Sequence, residues 1–115
     1  MNVIYNPITE VLMGWASHYI EKLKAGETVK FRPHGNSMQP RVESGQLCTV
    51  EPLGSPPETS LAPGDVVLCT VEGRQFLHLL SAVKGKRYQI SNNKGHVNGW
   101  CGINQIHGKL VKVEP

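Results

Sequence analysis

Apolar positions between residues 7 and 25 recur at steps of three and four: Ile8, Val11, Leu12, Trp15, Tyr19, Ile20 and Leu23. That period lays one apolar face along a helix. Asn6 can cap its start, Pro7 suits its first turn, and Gly26 stands where a helix stops. The face is expected to pack on the rest of the chain. Lys22 and Lys24 give only weak support to a membrane-docking role.

Beyond Gly26 the period shortens to that of strands. Thr28 to Arg32 alternates polar with apolar, and Gln46–Val50, Asp65–Val71 and Arg74–Leu80 are β-branched or apolar runs bounded by turn residues. Glu72-Gly73 predicts a tight hairpin, and Lys84-Gly85 turns the chain before Arg87–Ser91. Lys109–Val113 reads as a closing strand. Residues 52–64, which include LGSPPETSLAP, form a loop by every local rule. One domain over residues 1–115 follows, mostly β, with a helix over 7–25 and a β domain over 28–113.

Composition narrows the function classes. At 115 residues the chain can bury about two-thirds of its unfolded surface, enough for one modest core. A net charge of +3, spread over scattered lysines and arginines, predicts no nucleic-acid partner. Cys48, Cys69 and Cys101 are odd in number and far apart, without a CxxC pair. They are therefore read as reduced, packed thiols in a cytoplasmic protein, with no disulfide framework and no metal. No signal sequence and no apolar run near 18 residues is visible, so no membrane span is expected.

The candidate chemistry centres on HGNSMQP, residues 34 to 40. Gly35 permits an unusual dihedral or a close approach, and Pro40 stiffens the loop's exit. A serine so held, Ser37, leaves amides beside it that could meet an oxyanion, with Asn36 and Met38 on either side. It needs a base. His18 falls on the polar side of the helix, His34 shares the serine's loop, and His96 and His107 sit among turn residues. His78, in QFLHLLSAV, differs: an imidazole in an apolar strand must be hydrogen-bonded to something. It shares a strand face with Phe76 and Leu80.

In order, GNSMQP, SGQLCTVEP, a loop, and LAPGDVVLCTVEGRQFLHLLSAV resemble the LexA and signal-peptidase superfamily of serine peptidases. The resemblance runs from about Phe31 to Val113 and is firmest at Ser37, Met38, Pro40, Gly64, Asp65, Val66 and Val67. It implies a compact assembly of small twisted antiparallel sheets. In the endoplasmic-reticulum and archaeal signal peptidases the base is a histidine in a strand, and His78 falls at that place. The resemblance therefore implies a Ser37–His78 pair, with Gly35, Asn36, Met38 and Pro40 around the oxyanion and substrate, and no cofactor. Compact stand-alone forms of this fold occur in phage and mobile-element genomes.

The chain also departs from that family. Arg41 stands for the usual threonine, Leu79 for the arginine after the base, and Ile90-Ser91-Asn92-Asn93 for a G-D-N box. Asp65 is the sole aspartate, at a position that is structural in the family. Asn92, Asn93 or Asn98 could orient the imidazole but not offset its charge, so slow or selective cleavage of an extended peptide is expected. The alternative is an inactive peptidase-fold module that binds a host or phage protein. A homodimer is left open. Ala25-Gly26 and Cys101-Gly102 match the dipeptides that self-cleaving members cut. The first lies too close to Ser37 and the second follows the base strand, so neither is read as a cleavage site.

Overall fold

The computed structural model describes residues 14–115. Asn6, Pro7, Ile8, Val11 and Leu12, which the helix reading used, lie outside them. One α-helix is present among the described residues, α1, Ser17–Lys24. Gly14 has a φ of +83° and residues 15 and 16 form a turn, so the helix does not run through this stretch as the sequence predicted. The expected stop at Gly26 is met. With φ at +86°, its amide donates to the Leu23 carbonyl at 3.0 Å, and the Glu27 amide donates to the Lys22 carbonyl at 2.9 Å. These are the two bonds of a Schellman ending.

Seven antiparallel strands follow: β1 Val29–Phe31, β2 Leu47–Pro52, β3 Val66–Val71, β4 Arg74–Lys84, β5 Arg87–Ser91, β6 Val97–Cys101 and β7 Ile106–Glu114. The protein is mostly β. The strands join in a single ladder in the order β1-β2-β7-β3-β4-β5-β6, bent at register shifts in four of its pairings. β6 is an addition to the strands read from the sequence, and β4 and β7 are longer than expected. The 52–64 loop carries a single 3-10 turn, Pro57–Ser60.

β3 is apolar on both sides because both of its faces are covered. Val66 and Leu68 enter one core with Ile20, Leu23, Phe31, Met38, Val50 and Leu77. Val67, Cys69 and Val71 enter a second with Leu80, Tyr88, Ile90 and Cys101. Gly108 of β7 makes room for the helix: a Cβ there would lie 2.8 Å from the Glu51 carbonyl and 3.0 Å from Leu23 Cδ1. All three cysteines are free and buried. No helix among the described residues is long and apolar enough to cross a membrane.

Candidate active site

The segment joining β1 to β2 is built as a tight turn pinned at both ends. Gly35, at φ +125°, takes a backbone conformation that residues with side chains rarely adopt. The Gln39 amide then reaches the Asn36 carbonyl at 3.3 Å, and the Val42 amide reaches that of Met38 at 3.0 Å. Met38 and Val42 are buried in the first core and anchor the turn. Ser37 stands at its head, half-buried. Amides at the head of a turn have no partner within it. Among the described residues, those of Ser37 and Met38 donate to no group.

The imidazole comes from the other half of the sheet. His78 lies in β4 opposite Val67, 8% exposed, with its ring stacked on Phe76 at 4.8 Å between centroids. Ser37 Oγ is 3.0 Å from His78 Nε2, and Asn98 Oδ1 is 2.7 Å from His78 Nδ1. Ile90 pairs with Gly99 and Ser91 with Val97, which leaves Asn98 as the extra residue of a β-bulge. A bulge re-aims a side chain, and here it directs an amide oxygen at the ring.

This contact sets the tautomer. An amide oxygen only accepts, so Nδ1 carries the proton and donates it, leaving the Nε2 lone pair to accept from the Ser37 hydroxyl. Burial pushes the His78 pKa below the ordinary value. The Asn98 hydrogen bond opposes that shift, and the nearby His96 adds to it. The ring is therefore neutral at neutral pH, the form a base requires.

The remaining candidates are distributed differently from the sequence reading. Asn92 and Asn93 do not orient the imidazole. Asn92 Oδ1 accepts the amides of Lys94 and His96 at 2.9 Å each, shaping the β5–β6 turn. Asn93 clamps that turn onto the serine segment: its amide donates to the Ser37 carbonyl and its side chain to the Gln39 carbonyl, both at 2.9 Å. The Gly35 amide is committed to Ser44 Oγ at 3.0 Å, so it is not an oxyanion donor. Asn36 is exposed, with its carbonyl engaged in the turn. Pro40 is exposed and follows a cis peptide bond, and it does not line the cavity at Ser37. His107 is no solvated turn residue. It is the bulged residue of β7, half-buried, with Nε2 at 2.8 Å from Thr70 Oγ1.

Beside Ser37 lies a cavity of about 40 Å³, walled by Pro33, His34, Gly35, Met38, Val42, Glu43 and Leu77. The sequence reading missed Pro33, Val42 and Leu77 as site residues, because each looks like an ordinary core or turn position. Among the described residues no carboxylate meets His78. Asp65 instead accepts the Ala62 amide at 2.8 Å and pairs with Lys109 at 3.5 Å. No cluster of three metal-ligating side chains occurs among the described residues. Comparisons with protein-family models, with curated proteins and with solved structures each find no match for this chain.

Proposed function

We propose that the protein is a serine endopeptidase that cleaves an extended peptide through Ser37 and His78, with Asn98 holding the base. The observation that carries this reading is the unbroken relay from the Ser37 hydroxyl through His78 to Asn98. His78 Nε2 takes the hydroxyl proton as Oγ attacks the scissile carbonyl. The Ser37 and Met38 amides, which donate to no group among the described residues, would receive the oxyanion. Collapse of the tetrahedral adduct passes the proton from Nε2 to the leaving amine and leaves an acyl-serine. Water, deprotonated by the same nitrogen, hydrolyses that ester and restores Ser37. A cavity of about 40 Å³ admits only a small side chain at the residue whose carbonyl is attacked. The resemblance to the LexA and signal-peptidase superfamily supports the same pair.

Asn98 lends the imidazolium a dipole, not a charge. Replacing the carboxylate of a serine-protease triad by an amide costs about 10⁴ in rate, a figure that includes loss of the working tautomer and so is an upper bound where Asn98 preserves it. Turnover is accordingly slow. That same neutral partner favours a second reading, a peptide-binding module that does no chemistry, which would capture peptide equally well with Ser37→Ala.

A fluorophosphonate probe separates the two. Labelling of the wild-type chain is expected, with none in Ser37→Ala and a loss of at least about tenfold in His78→Gln. Equal labelling of all three proteins would end the peptidase reading.

A further inference from the structure

A second cavity adjoins the one at Ser37. It measures about 270 Å³ and is lined by Trp15, Arg32, Pro33 and His34. Pro33 and His34 line both cavities, so the two lie side by side. The Trp15 indole is 49% exposed yet held in place. Its N–H donates to the Gln75 carbonyl at 3.1 Å, and its ring meets Phe31 edge-on at 5.6 Å. The Arg32 guanidinium is steadied by the Gly45 carbonyl at 2.8 Å. A half-exposed indole fixed on two sides has little rotamer freedom left to lose when something packs on it.

We propose that this second cavity is a specificity subsite for an aromatic side chain of the peptide, two residues from the small side chain seated beside Ser37. The inference rests on the peptide-cleaving reading and deepens it by naming the substrate class. The walls argue for an aromatic occupant over an aliphatic one. An indole face, an imidazole and a guanidinium all interact favourably with a π-system, through stacking and cation–π contact. The size agrees, since the cavity is several times larger than its neighbour. Alternate side chains of an extended peptide lie on one side about 6.6 Å apart, a step that suits two cavities sharing a wall.

The test uses two blocked octapeptides of glycine, serine and alanine. They differ only in phenylalanine or alanine two residues before a central alanine. Cleavage by the wild-type chain is expected to favour the phenylalanine peptide at least tenfold in kcat/KM. Trp15→Ala should bring the two peptides within twofold of each other, while Trp15→Phe should keep most of the preference. Binding is read separately in a Ser37→Ala, Trp100→Phe chain, where Trp15 is the sole tryptophan. Its fluorescence should change with the phenylalanine peptide at tenfold lower concentration than with the alanine peptide. If both peptides bind alike, or Trp15 fluorescence stays unchanged, the subsite is overturned even when cleavage occurs. If the binding preference holds while the wild-type chain cleaves neither peptide, the subsite stands and the peptidase reading falls.

Discussion

Asn98 Oδ1 sits 2.7 Å from His78 Nδ1, on the far side of the ring from the Ser37 hydroxyl. A neutral amide thus occupies the position from which serine proteases usually stabilise the imidazolium with a carboxylate. Asn98→Asp should therefore raise the acylation rate, by at least about tenfold and at most about 10⁴. Asn98→Leu should lower it by about tenfold or more, because Nδ1 then loses its acceptor. Single-turnover labelling with a fluorophosphonate reads both changes. No gain in Asn98→Asp, with the fold intact, would mean that the ring is not the working base.

The pH profile follows from the burial of His78. Burial lowers its pKa from the ordinary 6.5, so the neutral base persists into mildly acidic solution. The acid limb of labelling should be centred below pH 6.5. In Asn98→Asp the new negative charge raises the ring's pKa, and the acid limb should move to higher pH. A wild-type limb centred above 6.5 would contradict the burial argument.

His107 gives the fold its own acid sensitivity. Burial, aided by the positive charge of Lys24 on α1, lowers its pKa to about 4. The unfolded chain takes up that proton near pH 6.5, so between these values it binds more protons than the native state. Stability should fall as pH drops from 6.5 toward 4. Glu21, also lining the cleft at His107 and 3.9 Å from Lys24, softens the repulsion only slightly because that pair is exposed. Denaturant melts at stepped pH should show the decline flattened in His107→Gln.

Thr49 is buried in β2, and its Oγ1 meets no hydrogen-bond partner among the described residues. Thr49→Val removes an unsatisfied hydroxyl without changing the side chain's branching. Stability should rise by about 1 kcal/mol, read from the urea midpoint.

Much of the sheet was legible because its strands carry strong local marks. β3 is a continuous apolar run, Glu72-Gly73 closes its hairpin with β4, and Gly26 ends the helix. The approach of Ser37 to His78, by contrast, joins residues 41 positions apart. No local rule reaches that far, and the pairing was expected only from an order of motifs that resembles a peptidase family. β6 was hidden because Asn98-Gly99 sits at its middle, a pair that reads as a turn until a bulge absorbs it. Asn93 could not be told from Asn98, since nothing in the sequence says which asparagine faces the ring and which grips the serine segment. His107 was misread for a similar reason: Gly108 beside it suggests a turn, but that glycine lies within the strand, where a Cβ would crowd the Glu51 carbonyl, Val50 and Leu23.

The sheet order has a consequence for when chemistry can begin. β7 is made after every other strand, yet it is inserted between β2 and β3. On one side of it lie β1 and the serine segment, and on the other lies the strand carrying the imidazole. Until residues 106–114 have left the ribosome, nothing in the ladder holds those two halves side by side. A nascent chain therefore lacks that bridge until synthesis has passed through the seventh strand, and before then only contacts outside the ladder, such as the grip of Asn93 on the serine segment, could bring Ser37 to His78.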